Sequence, residues 1–260
     1  MDNDVRLRVA QELASAYTTR EPIAPLVQTH PGITLDDSYE IQQLQLRERL
    51  DGGAQVVGYK VGLTSAVMQR QMGVDQPDYG YLLDEMTYLE NAPVPTEHFV
   101  QPKVEPEIAF VLGRDVSGPN ATVAQVMGAI EYVVPALEII DSRIRDWKIG
   151  LLDTVADNAS SGGVVLGSRP TSLVDQDLRL AGCNLFVNGR IVGTGAGGAV
   201  LGSPLTAAVW LINTLGARGV TLRAGQVILS GSVTAAVTVA QGDTVSAQIA
   251  GLGTVTTRFV

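Results

Sequence analysis

The stretch KVEPEIAFVLG, residues 103–113, sets Glu105 and Glu107 one residue apart at the head of a run in which Ile108, Phe110 and Leu112 alternate like a strand entering a core. On an extended chain residues i and i+2 share a face, so the two glutamates stand side by side while Val104, Pro106 and Ile108 face the other way. Adjacent carboxylates repel, and in dry surroundings one must take a proton unless a cation lies between them. The competing reading is the solvated face of an edge strand, a position that Pro106 suits because it lacks an N–H for the ladder. Both readings make this segment a β-strand.

Outward from that strand, the chain after Gly53 is a series of short β-rich runs punctuated by glycine: QVVGYKVGL, YGYLLD, YVVPALEIID, GGVVLG, CNLFVNGRIVG, GQVILSG, AAVTVA and DTVSAQIAGLGTVTTRFV. Closely spaced strands with turn signals predict a predominantly β core, a sandwich or a rolled sheet. Local helices are expected after Thr64 (SAVMQRQM), after Thr122 (VAQVMGAI) and at Ser203-Pro204 (LTAAVWLINTL), where proline occupies the first helical position. Before Gly53 the texture is helical. Val5, Val9, Leu13, Ala16 and Tyr17 recur at helical spacing behind a potential Asp4 cap, and a second helix is predicted from Asp37 to Leu50, with the proline-containing EPIAPLVQTHPGITLDD as a loop between them. The expected division is a helical N-terminal arm, 1–53, and a β-rich catalytic domain, 54–260.

The 260 residues are 45% hydrophobic, enough for a sizeable core, and carry a formal net charge of −9. That charge argues against nucleic acid or an anionic membrane as partner and favours a small-molecule ligand. The single cysteine, Cys183 in AGCNLFV, reads as a packed thiol in a reducing compartment. With neither a signal peptide nor a membrane span in the N-terminal sequence, a cytoplasmic location is expected.

Other acids and one lysine stand out. Glu138 lies in an otherwise apolar run from Val133 to Ile140, with Asp141 three residues on. An unpaired carboxylate there would cost several kcal/mol, so it needs a cation, an arginine or a raised pKa. Carboxylates from two strands with no nearby cysteine or histidine form an all-oxygen set suited to Mg²⁺ or Mn²⁺; the alternative for Glu138 is an ion pair with Arg143 or Lys148. Lys60, between Gly58 and Gly62, can bind a substrate carboxylate or move a proton, or can simply snorkel to water. GTGAGG, 193–198, satisfies G-x-G-x-x-G but lacks the acid expected about 20 residues later for a dinucleotide site. His30 and His98 both occupy loop-like settings, and no Gly-x-Ser-x-Gly elbow supports a serine triad.

Taken in order, GYKVGLTS (58–65), PDYGYLLD (77–84), VEPEIAFVLG (104–113), LEIIDSRI (137–144), DWKI (146–149) and DNASSG (157–162) resemble the hydratase/decarboxylase branch of the fumarylacetoacetate hydrolase superfamily, and the likeness runs along nearly the whole chain. The resemblance implies an α+β fold, a mixed β roll with a helical N-terminal region, in a homo-oligomer. It implies that Glu105, Glu107 and Glu138 hold a divalent cation, Mg²⁺ or Mn²⁺, with Lys60, Asp78 and Ser160 catalytic and Lys60, Ser160 and Ser161 binding substrate. The activity implied is addition of water to a 2-hydroxy-2,4-dienoate, giving a 4-hydroxy-2-oxo acid, in meta-cleavage catabolism of aromatic or steroid rings. Decarboxylation of 4-oxalocrotonate is the alternative, and a non-catalytic partner subunit a third; association with a pathway enzyme is compatible with each. The parent hydrolases use a histidine-centred group that neither His30 nor His98 matches, which disfavours C–C hydrolysis.

Overall fold

A computed structural model describes residues 1–174 and 176–260, with side chains for all of these except 71 and 72. Seven α-helices are described: α1 (Asn3–Thr19), α2 (Leu26–Thr29), α3 (Leu35–Asp51), α4 (Ala66–Met72), α5 (Val123–Ala129), α6 (Leu151–Ala156) and α7 (Pro204–Ala217). The strands are β1 (Val56–Gly62), β2 (Asp78–Leu83), β3 (Thr87–Tyr88), β4 (Pro93–Val94), β5 (Lys103–Leu112), β6 (Ile130–Ile140), β7 (Ser161–Leu166), β8 (Gly182–Val187), β9 (Arg190–Ala196), β10 (Val227–Ser232), β11 (Val237–Thr238), β12 (Thr244–Ile249) and β13 (Gly253–Phe259). Among the described residues no helix is long and apolar enough to cross a membrane.

The strands form two sheets. The larger runs β2-β1-β10-β5-β6-β7-β3, with β11 also on β5, and mixes parallel and antiparallel pairs; the smaller runs β4-β13-β12-β8-β9. Strands β12 and β13 pack against β6, and α7 packs on β10 and β1. Between these layers lie Ile108, Phe110, Leu137, Leu185, Val245, Val255, Phe259, Leu211 and Ile212, all fully buried. Each such side chain contributes about 1.5–3 kcal/mol by leaving water. The fold is therefore α+β with rolled mixed sheets and a helical N-terminus, as the strand series and the family likeness predicted.

Helix starts show which local signals sufficed. Thr122 caps α5 in a reciprocal box with Gln125, and Pro204 opens α7 after Ser203. The α1 cap is Asp2, not Asp4, because the Asp2 carboxylate accepts from Val5 N, three residues on. The α3 cap is Thr34 with Asp37 at the third helical position, so that helix begins two residues before Asp37. The α4 cap is Ser65, whose hydroxyl accepts from Val67 N, while Thr64 is buried and its carbonyl accepts from Leu201 N. Short helices α2 and α6 went unpredicted, being shorter than two full turns and held by tertiary contacts. Asp153 of α6 accepts from Leu26 N of α2 at 2.6 Å.

One expectation fails outright. Strand β5 is not an edge strand: it lies between β10 and β6. Pro106 is tolerated because it falls in the gap between two ladders, where Ser232 pairs with Glu107 and Val237 pairs with Val104. No N–H is needed there, and the Pro106 carbonyl accepts from Val233 N at 3.1 Å.

Candidate metal centre and active site

Register, more than spacing, builds the acidic site. In the antiparallel β5–β6 pair Glu105 lies directly opposite Glu138, and Glu107 opposite Ala136. With Glu105 and Glu107 on one face of β5, the three carboxylates converge, and one oxygen from each lies within 4.8 Å of the others. Glu107 and Glu138 are wholly buried. Like charges at this spacing oppose folding, so the arrangement needs a compensating positive charge.

The protein supplies only part of it. Lys60 Nζ lies 3.3 Å from Glu138 Oε1, an electrostatic contact without hydrogen-bond alignment, and donates to Ala159 O at 3.0 Å. Thus Glu138 is paired with Lys60 and not with Arg143 or Lys148: Arg143 is engaged by Asp157, and Lys148 is an exposed partner of Asp146. Glu107 Oε2 accepts from Gly231 N at 2.7 Å. Glu107 Oε1 and both Glu138 oxygens, all buried, have no hydrogen-bond partner among the described residues. Orphaned acceptors of this kind, in an all-oxygen set, fit a hard divalent cation.

Protonation follows the same crowding. Burial, reinforced by Glu138, pushes Glu105 up to about 7 against the pull of Lys60 and Lys103. Burial and Glu138 also hold Glu107 well above the ordinary carboxylate range. For Lys60 burial works downward, yet the carboxylates of Glu138, Asp78, Glu105 and Glu107 override it and hold the ammonium above its usual value. Asp78, buried on β2, is pushed up to about 6 by burial, with Lys60 opposing and Glu138 adding.

Asp78 and Lys60 meet over Gly62. A Cβ at that position would lie 2.1 Å from Asp78 Oδ1 and 3.4 Å from Lys60 Nζ, so any side chain at 62 would displace the acid. Both groups open into a cleft of about 240 Å³ with Glu105, Thr154 and Ser160 on its walls and Met68, Trp147, Ile149, Ala235 and Ala236 further out. The Ser160 hydroxyl pairs with Thr154 Oγ1 at 3.2 Å. Ser161 does not line the cleft: it is fully buried at the start of β7, one residue past the left-handed Ser160. A larger cavity, about 560 Å³, between the N-terminal helices and the sheet contains none of the acidic set.

Lys60, Asp78, Glu105, Glu107, Glu138 and Ser160 are therefore brought together, and Ser161, His30 and His98 are not; His98 pairs with Tyr88 at 3.1 Å. Asp141 is structural, accepting from Val100 N and Gln101 N. Sequence reasoning missed Thr154, Trp147 and the Ala159 carbonyl, since nothing in a backbone oxygen's own residue marks it in advance. GTGAGG forms the end of β9 and part of the turn after it, at the rim of the smaller sheet.

Residues 56–260 match the family model described as "Fumarylacetoacetate (FAA) hydrolase C-terminal". The chain is 50% identical over 254 residues to 2-keto-4-pentenoate hydratase of Paraburkholderia xenovorans strain LB400, covering 98% of this chain and 94% of that one. It is 39% identical over 267 residues to 2-oxo-hept-4-ene-1,7-dioate hydratase of Escherichia coli, covering 100% and 99%. Among solved structures, 4-oxalocrotonate decarboxylase from Pseudomonas putida G7, complexed with magnesium and adipate, superposes with a TM-score of 0.96 at 38% identity over 100% of this chain and 99% of that chain. In acidic strand pair, sheet architecture and whole-length identity alike, the chain belongs to the fumarylacetoacetate hydrolase family, within its hydratase and decarboxylase branch.

Proposed function

We propose that the chain is a divalent-cation-dependent hydratase that adds water to a 2-hydroxy-2,4-dienoate and releases a 4-hydroxy-2-oxo acid. The observation carrying this reading is the set of orphaned carboxylate oxygens of Glu107 and Glu138 beside Glu105, facing Lys60 and Asp78 in a cleft sized for a small organic acid. Glu105, Glu107 and Glu138 would hold the ion, Mg²⁺ or Mn²⁺. When bound, such an ion supplies Lewis acidity toward the carboxylate and 2-oxo oxygens of a 2-oxo acid.

The chemistry asked of the side chains is two proton transfers and one addition. The dienol loses its O–H proton and gains one at C5, giving a 2-oxo-3-enoate; the oxygen of water then bonds to C4 and a proton goes to C3. Asp78, pushed up to about 6, can accept and return a proton near neutral pH, and it is our candidate for the acid/base on water or C5. Lys60 is held as an ammonium beside Glu138 with one N–H on Ala159 O, so its other N–H groups can donate to the substrate's oxygens. Ser160, oriented by Thr154, donates a hydrogen bond to the substrate carboxylate in the same reading. Beyond the acids the walls are largely apolar, which supports a short hydrocarbon tail on the substrate.

Decarboxylation of 4-oxalocrotonate is the second reading, favoured by the likeness to the P. putida G7 decarboxylase. Incubating the purified chain with 2-hydroxypenta-2,4-dienoate and with 4-oxalocrotonate, each with and without Mg²⁺, separates the two. Cation-dependent formation of 4-hydroxy-2-oxopentanoate is expected, and CO₂ release without a hydrated product would overturn the proposal. Turnover by the chain alone would also exclude a non-catalytic subunit. We further infer a homo-oligomer, association with a pathway enzyme, a cytoplasmic location and an arm, 1–53, serving a catalytic domain, 54–260.

A further inference from the structure

Between Asp157 and Ser161 three consecutive non-glycine residues, Asn158, Ala159 and Ser160, have φ of 52°, 50° and 53°. Asparagine tolerates this left-handed region; alanine and serine are seldom found there, and a run of three needs something to hold it. The ends of the segment are anchored, Asp157 by Arg143 and the Ser160 carbonyl by Asp141 N. At its middle the Asn158 side chain grips Tyr81: Tyr81 N donates to Asn158 Oδ1 at 2.8 Å and Asn158 Nδ2 donates to Tyr81 O at 3.0 Å.

Tyr81 belongs to β2, the terminal strand of the larger sheet, so one carboxamide takes the place of the missing neighbour strand. Gly80 permits the approach, since a Cβ there would lie 2.4 Å from Asn158 O and 2.9 Å from Asn158 Oδ1. Asn158, Ala159 and Ser160 are themselves buried, but a cavity lies on each side of them. Asn158 and Gly162 line the larger cavity, while Ala159 and Ser160 line the active-site cleft, leaving the segment as a partition between two spaces. On the cleft side the Ala159 carbonyl receives the Lys60 ammonium.

We infer that Asn158 is a positioning residue, whose paired hydrogen bonds to the Tyr81 backbone hold the Ala159 carbonyl where it aims Lys60 into the cleft. This rests on the proposed role of Lys60. An ammonium has three N–H donors at fixed angles to one another; with Glu138 only an electrostatic neighbour at 3.3 Å, the hydrogen bond to Ala159 O is the one that orients the other two. Without the grip the carbonyl can swing toward the cavity, and the ammonium loses its bearing while the glutamates, on β5 and β6, stay in place.

Asn158→Gly tests the effect, because glycine accepts left-handed φ at no steric cost and removes the side chain that carries the carboxamide. Turnover of 2-hydroxypenta-2,4-dienoate is scored per Mn²⁺-binding site, counted by Mn²⁺ titration with electron paramagnetic resonance, so that unfolded protein drops out. We expect kcat to fall about tenfold or more, as misplacement by an ångström or less commonly does, with KM within about twofold and Mn²⁺ affinity within about threefold. Asn158→Asp, which keeps the acceptor for Tyr81 N and loses the donor, should retain an intermediate kcat. An unchanged kcat per site in Asn158→Gly, or a loss confined to KM, would overturn the inference. Lys60→Met tells this apart from failure of the underlying reading: wild-type kcat in that variant removes the role of Lys60 itself, whatever Asn158→Gly does.

Discussion

Two of the clusters of buried charge among the described residues are opposites. In the first, Arg143 and Asp157 are both fully buried: Arg143 Nε and N donate to the Asp157 carboxylate at 2.5 and 2.8 Å, Nη2 donates to Asp157 O and Nη1 to Ser161 O. Its guanidinium also stacks 4.3 Å from the Tyr17 ring centre. In the second, Glu105, Glu107 and Glu138 face one close cation, Lys60, and three buried oxygens have no hydrogen-bond partner. Burial alone does not separate structural charge from functional charge. The balance of partners does: the satisfied pair holds the Asp157–Ser161 segment in place, while the surplus of acceptors in the second cluster fits a divalent cation.

The strongest way to break this contrast is to neutralise the cradle. Glu105→Gln with Glu107→Gln should lower cation-dependent turnover by about 10⁴-fold, some 5 kcal/mol, while the melting temperature stays level or rises because like-charge repulsion is removed. Steady-state rates and thermal unfolding measured together check this, and undiminished activity would remove the metal centre. The satisfied cluster should behave in reverse. Arg143→Met strands Asp157 and should cost about 3–5 kcal/mol of stability in a denaturant titration. A destabilisation no larger than that of an exposed substitution would erase the distinction.

A smaller effect reads the cradle's protons. Without a cation Glu105 is pushed up to about 7, so below that pH a bound cation must displace a proton. Apparent Mn²⁺ affinity should therefore fall by at least about tenfold per pH unit on going below pH 7, with proton release detectable by calorimetry in buffers of different ionisation enthalpy. Stability linkage has a defined sign: the folded carboxyl binds its proton more tightly than the unfolded one, so the cation-free protein loses stability as pH rises from about 4.5 to about 7. The smallest effect belongs to the exposed pair of Arg49 and Glu85, where Glu85→Gln should shift stability by less than about 1 kcal/mol.

How much of this was legible beforehand divides along a physical line. The i, i+2 glutamates, the isolated Glu138 in its apolar run, the Thr122 cap and the Ser203-Pro204 helix start are local patterns, and the structure keeps each as a local fact. Reading Pro106 as an edge marker failed because tolerance of proline depends on a gap left by two other strands, β10 and β11. The motif groups Ser161 with Ser160, but the left-handed turn that ends at Ser160 puts that residue on the cleft and leaves Ser161 buried at the start of β7. Sequence proximity offers Arg143 and Lys148 as partners of Glu138, but the partner is Lys60, from a strand two places beyond β5 in the sheet.

By itself the sequence determined the texture of the protein, a β-rich chain behind a helical start, and the identity of its conspicuous acids and lysine, because hydrophobic period and residue chemistry act over a few neighbouring positions. The tertiary structure alone decided that Glu105 opposes Glu138, that Lys60 and Asp78 meet over Gly62, and that Arg143 is taken by Asp157 and withheld from the cradle. Those choices depend on strand register and on which groups satisfy one another across long sequence separations, and a buried charge takes its role from the partners that folding leaves to it.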